Sequence, residues 1–120
     1  MKENIIVKKT EAFADRIVKA SKYLQLEKKE FRLSDQLLRS GTSIGALIKE
    51  SQFAQSTPDF INKNYIALKE ANESLYWIER LHNGGYFSDI AYDSIRKDIS
   101  EIIAILISIV KTSKEKLPTK

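Results

Sequence analysis

The chain has 120 residues, of which 42% are hydrophobic and 30% charged, and it carries a formal net charge of +4. That balance fits one soluble folded domain rather than a disordered chain, and the length allows about two thirds of the unfolded surface to be buried. With no cysteine, disulfides, thiolate metal ligation and thiol nucleophiles are excluded, and a cytoplasmic location is expected.

Near the N-terminus the apolar stretch Ile5-Ile6-Val7 is only three residues long, too short for a signal-peptide core, so secretion is not expected. Ile6, Thr10, Phe13, Ile17, Ala20 and Leu24 follow in alternate steps of four and three, which predicts a helix over 5–26 with one buried stripe. Glu27-Lys28-Lys29-Glu30 reads as a solvated connection. A second helix over 33–54 turns Leu37, Gly41, Ile44 and Ile48 inward, with Ser34 as its N-cap and Gly41 permitting close approach of a neighbour. Gly45 is a local weakness, since a helical glycine costs roughly 1 kcal/mol against alanine.

Ser56-Thr57-Pro58-Asp59 is the clearest boundary: Thr57 can cap, Pro58 suits the first helical position, and Asp59 complements the helix dipole. The third helix, over 58–83, carries the stripe Ile61, Asn64, Leu68, Ala71, Leu75, Ile78 and His82, and stops at Asn83-Gly84-Gly85, whose glycines suit a left-handed turn. Tyr86 and Phe87 are expected to plug that turn. Ser88 and Asp89 open a fourth helix over 89–116, and Pro118 lies just beyond it. Four amphipathic helices with short connections predict an all-α, antiparallel up-down-up-down four-helix bundle, a single domain over 1–120. The greasiest segment, Ile102 to Val110, has nine residues interrupted by Ser108 against about 20 for a membrane span, so no membrane association is expected.

The fourth helix is apolar over more than one face. Ile99, Ile102, Ile103, Ile105, Leu106, Ile107, Ile109 and Val110 wrap about half its circumference, whereas a bundle helix buries a face only about 100° wide. If Ile95, Ile99, Ile102, Leu106 and Val110 fill the core, then Ile103, Ile105, Ile107 and Ile109 are left for a second subunit. Phe60, Tyr65, Tyr76 and Trp77 lie off or beside the main stripe of helix three, and aromatics of this kind are enriched at interfaces. Arg39, close to the apolar stripe of helix two, suits a subunit seam, with Glu50, Glu73 or Glu101 as its carboxylate. The expected self-association surface is therefore Tyr76, Trp77, Ile103, Ile105, Ile107, Ile109 and Arg39.

Catalysis and metal binding find little support. Glu79-Arg80-Leu81-His82 has the Glu-x-x-His spacing of a di-iron helix, but such a site needs that motif twice and His82 is the single histidine. Glu70 and Glu73 lie among Lys69, Asn72 and Ser74 on a solvated face, and no phosphate-cradling glycine loop occurs. No enzyme activity, cofactor or metal is expected. The basic residues are more suggestive: Arg16, Lys19 and Lys22 recur every three residues, and Lys28, Lys29 and Arg32 follow at the first turn. Together they form a cationic edge, interleaved with Asp15, Glu27 and Glu30, that suits non-specific contact with the phosphates of RNA or DNA. The alternative is a protein-interaction or scaffolding oligomer without nucleic-acid binding, in which these charges serve solubility.

The stretch Leu33-Ser34-Asp35-Gln36-Leu37-Leu38-Arg39-Ser40-Gly41-Thr42-Ser43-Ile44-Gly45-Ala46-Leu47-Ile48-Lys49-Glu50 resembles the second helix of the family of four-helix-bundle proteins encoded in intervening sequences of 23S ribosomal RNA genes. Ser56-Thr57-Pro58-Asp59-Phe60-Ile61 and Ala67-Leu68-Lys69-Glu70-Ala71-Asn72-Glu73-Ser74 resemble the segments that follow, in the same order. Where many members carry Asn-Ile-x-Glu-Gly, this chain has Leu47-Ile48-Lys49-Glu50-Ser51. The family is also similar to the accessory variability protein of diversity-generating retroelements, a five-subunit barrel that binds nucleic acid. The resemblance thus implies a homopentamer with a basic surface, and it supplies no catalytic residue.

Overall fold

The computed structural model describes residues 4–118, which form α1 (Ile5–Leu26), α2 (Arg32–Ser51), α3 (Thr57–Asn83) and α4 (Asp89–Glu115). No strand occurs among the described residues. Contacts along the helices give their directions. Thr10, Ile17 and Gln25 of α1 meet Gly45, Gly41 and Ser34 of α2 in turn. Ser74 of α3 bonds Ser40 of α2, whereas Phe60 borders the same hollow as Ser51 and Gln52. Tyr65 lies beside Lys114 of α4, and His82 bonds Asp89. Each helix is therefore antiparallel to the one before it, as expected for an up-down-up-down bundle.

The core is built from one stripe per helix: Ile6, Phe13, Ile17 and Leu24; Leu37, Ile44 and Ile48; Ala67, Ala71, Ile78 and Leu81; Ile95, Ile99, Ile102 and Leu106. On α1 the predicted stripe is buried except for Ala20, which is half-buried. On α3 the face is rotated from the predicted one. Leu68, Leu75 and His82 are half-buried, and Ala67, Ser74 and Leu81 take the fully buried positions. Small residues at the centre of α3 let it lie close against α2, where the Ser74 hydroxyl donates to Ser40 Oγ at 2.9 Å. The larger leucines then cover the flanks.

Gly41 and Gly45 set the distance between α1 and α2. A Cβ at Gly41 would lie 2.9 Å from Ile17 Cγ1, and one at Gly45 would lie 3.3 Å from the Thr10 carbonyl oxygen. Gly45 is therefore a packing position rather than a mere weakness.

The helix ends differ from expectation in detail. Ser34 is not the N-cap of α2: it lies buried inside the first turn, its hydroxyl donating to the Glu30 carbonyl. The Glu30 carboxylate, expected to be solvated, accepts the Ser34 N–H at 2.7 Å. Ser56 rather than Thr57 caps α3, accepting the Asp59 N–H at 3.2 Å, while the Asp59 carboxylate reaches back to the Gln55 N–H at 3.2 Å. Pro58 accordingly falls at the second helical position. The α-helix of α2 ends at Ser51, short of residue 54, because Phe53 and Ala54 bond the carbonyls three residues back and tighten the turn.

Two left-handed residues stop helices. Gly85, at φ 84°, lets the Tyr86 N–H return to the Leu81 carbonyl at 2.9 Å, as its glycine suggested. Lys29, at φ 54°, plays the same part after α1, where the Glu30 N–H reaches the Leu24 carbonyl at 3.0 Å. A lysine thus holds a position that favours glycine.

Ile17 is fully buried, so an added methyl 2.9 Å from its Cγ1 must be met by a shift within the core. Gly41→Ala should therefore lower stability by about 1–2 kcal/mol, overpacking outweighing the roughly 1 kcal/mol that alanine gains in helix propensity. Thermal unfolding would report this as a fall of about 5 °C or more. An unchanged or raised midpoint would mean that α1 slides away from α2 without penalty.

Candidate nucleic-acid interface

The six expected basic residues separate into paired and unpaired groups. Arg16 is held by α4, its guanidinium donating to Asp98 Oδ2 at 2.7 Å and to Ser94 Oγ at 2.9 Å. Lys19, Lys22, Lys28, Lys29 and Arg32 are exposed, and none reaches a carboxylate among the described residues. Elsewhere Lys9 pairs with Glu101, Lys49 with Glu11, Lys63 with Asp59, and Arg39 with Glu70 and Glu73, whereas Arg96, Lys97, Lys111 and Lys116 reach no carboxylate among the described residues.

Geometry brings Arg16, Lys19 and Lys28 to the edge of one cleft of about 460 Å³, between α1 and the α3–α4 turn. Ala20, Phe87, Ala91 and Ile95 give it an apolar lining, and Tyr23, Tyr86 and Ser88 also border it. Phe87 and Ile95 are buried, Tyr86 is half-buried, and Tyr23 is 45% exposed. Lys19 and Tyr23 also border a shallower hollow with Lys22, Leu26 and Glu27, so the lysines of α1 continue outward from the cleft. Lys29 and Arg32 line neither depression; they belong to the connection between α1 and α2 and its junction with α2.

The cleft exists because α1 packs far less closely on α4 than on α2. Where the helices do meet, charged pairs bridge them, namely Arg16 with Asp98 and Lys9 with Glu101. Sequence reasoning missed Tyr23, which stands one helical turn after Lys19, a signal visible in the spacing. Tyr86 was expected only to plug the turn.

The residues expected at a subunit seam are partly engaged within the chain. Ile103, Ile105 and Ile109 are half-buried and pack against the core, whereas Ile107 is 51% exposed. Trp77 is half-buried, its indole N–H donating to Glu73 Oε2 at 2.9 Å. Tyr76 is 49% exposed, edge-on to Trp77 and covered on one side by the Arg80 guanidinium at 4.9 Å. Arg39 finds Glu70 and Glu73 on α3 of its own chain, so its charge is met without a second copy.

At the other proposed motif, His82 Nε2 lies 2.7 Å from Asp89 Oδ1 and the ring stacks on Tyr92 at 3.9 Å. This ties the end of α3 to the start of α4. Among the described residues no group of three or more His, Asp or Glu side chains converges as metal ligands. No helix among them is long and apolar enough to cross a membrane.

Fold and surface together define a small all-α bundle protein with a cleft and an unpaired basic edge at one end. The chain belongs to the 23S rRNA-intervening sequence protein family, whose pattern matches residues 2–108. It is similar to a crystallised protein of unknown function from the S23 ribosomal protein family of Bacteroides thetaiotaomicron, with 54% identity and a TM-score of 0.87. The match covers 88% of this chain and 98% of that one. No curated protein shows significant similarity to it.

Arg39, half exposed, pairs with carboxylates at the surface, where such pairs contribute about 0–1 kcal/mol each. Arg39→Ala should therefore cost about 1 kcal/mol or less, with the difference from wild type shrinking in high salt. A loss of several kcal/mol that persists in salt would show that the pair is a structural keystone.

Proposed function

We propose that the protein is a non-catalytic homo-oligomer that binds nucleic acid through the basic edge formed by Lys19, Lys22, Lys28, Lys29 and Arg32. The observation that carries this reading is the clustering of unpaired cations. These five cations lie within residues 19–32 and lack carboxylate partners among the described residues; Arg96, Lys97, Lys111 and Lys116 lack them too but are spread along α4 and its end. Phosphate contacts need ammonium and guanidinium groups that are free to exchange counterions, and several of them within one short stretch of chain suit a polyanion. Lys29 adds to this, because a lysine in a left-handed position forgoes the relief that glycine would give.

Assembly would use the exposed flank of α4 at Ile107 together with Tyr76 of α3, and the family resemblance suggests five copies. Self-association multiplies a weak electrostatic contact along one strand. A second reading, a scaffold for another protein, draws on Phe53 and Ile90, both 85% exposed at the ends of the bundle.

Binding to unrelated RNA sequences should weaken steeply as salt rises. Lys19→Glu with Lys22→Glu should reduce affinity for all of them alike, and should flatten the salt slope by about 0.7 for each single-strand phosphate that is no longer neutralised. Undetectable binding by the wild type at low salt would overturn this reading in favour of the scaffold. In sedimentation, Ile107→Lys should dissociate the oligomer without unfolding the subunit, because that side chain is already half exposed and a charge there is desolvated only on assembly. A monomeric wild type at micromolar concentration would eliminate the assembly.

A further inference from the structure

The cleft between α1 and the α3–α4 turn has a chemistry that the basic edge alone does not require. A surface that only neutralises phosphates can be convex and wholly polar. This one is concave, with a lining of Ala20, Phe87, Ala91 and Ile95, bordering tyrosines Tyr23 and Tyr86, and cations Arg16, Lys19 and Lys28. Its volume of about 460 Å³ falls in the range of roughly 300–1,000 Å³ typical of small-molecule sites. The space depends on two small residues: Ala20 on α1 and Ala91 on α4 both line it, and a large side chain at either would occupy it.

We propose that this cleft seats one unstacked nucleotide, its base against the apolar lining and the tyrosines and its phosphate toward Lys19 and Lys28. The proposal rests on the nucleic-acid reading and deepens it by naming single-stranded nucleic acid as the preferred ligand. A duplex keeps its bases stacked and paired, so it offers phosphates to the lysines but no ring face to the cleft. An unpaired base offers both, and base–aromatic contacts tolerate any sequence because every base has a π-face. Arg16 suits the edge of such a site: two of its nitrogens are fixed by Asp98 and Ser94, which orients the guanidinium, and its remaining N–H groups can donate to a ligand.

The test compares a short single-stranded RNA, the blunt duplex of the same sequence, and AMP, each titrated at one fixed salt concentration. The proteins are the full-length wild type, Ala91→Phe and Tyr23→Ala. Ala91→Phe fills the cleft without altering charge, and Tyr23→Ala removes an exposed ring that the core does not need, so folding is secured by at least one of the pair. The wild type should prefer the single strand over the duplex by about tenfold, in line with the contribution of a single stacked base. Both variants should lose that preference while binding duplex within about twofold of wild type. If both variants retain the wild-type preference, or if the wild type shows none, the cleft proposal is overturned and the basic-edge reading stands. Binding of AMP without binding of either polymer, abolished in the variants, would support the cleft as a free-nucleotide site and overturn the basic-edge reading. Binding of none of the three ligands overturns both.

Discussion

The close approach of α1 to α2 governs the rest of the molecule. With Gly41 over Ile17 and Gly45 over the Thr10 carbonyl, the two helices meet almost backbone to backbone. Small residues repeat the device between α2 and α3, where Ser40 and Ser74 share a hydrogen bond and Ala71 is fully buried. Close packing on these sides leaves the remaining junction, between α1 and α4, less tightly closed. Phe13 and Ile102 still line a small hollow there, but the bridges across it are ionic and exposed. The cleft near the α3–α4 turn, at about 460 Å³, is larger than this hollow of about 160 Å³. Tight glycine packing on one side and an open groove on the other are thus two results of one geometry.

Charge follows the same division. Three cations that face a neighbouring helix find a carboxylate there: Arg16 on α4, Arg39 on α3 and Lys49 on α1. Past the last turn of α1 there is no helix alongside to supply one, because the chain reverses through Glu27 to Phe31. Glu30 is turned inward to hold the Ser34 N–H and so is engaged with the start of α2. The connection keeps both carboxylates, but Lys28 and Lys29 are exposed while Glu30 is half-buried against the start of α2.

Much of the fold was legible before any coordinates. The stripe Ile95, Ile99, Ile102, Leu106 and Val110 is buried at its helical spacing, with Ile103, Ile105 and Ile109 half-buried on its flanks. α3 was harder because its buried face is made of Ala67, Ala71 and Ser74, which carry little hydrophobic signal, while Leu68 and Leu75 beside them carry much. Volume rather than hydropathy decides such a face: the tighter the helices approach, the smaller the residues between them. Caps were misplaced by a residue or more because Ser34, Ser56 and Thr57 all have capping hydroxyls and only the backbone path chooses among them. The cleft was hidden for a different reason. Lys19 and Tyr23 come from α1 and Tyr86, Phe87 and Ala91 from the other end of the chain, and no local pattern joins them.

A single nucleotide in a half-open cleft binds weakly, and a few unpaired lysines add only modest attraction at physiological salt. Repetition changes this balance. Ile107 is 12 residues beyond Ile95 along α4, about 18 Å along the helix axis, so a seam at Ile107 would leave the cleft at Ile95 uncovered. Each added subunit would then present another cleft to the same strand, and every site after the first would be filled at the high effective concentration of a tethered ligand. In the proposed assembly, self-association would add to the affinity of one subunit, and the spacing of clefts around it would determine which lengths of single strand can engage more than one.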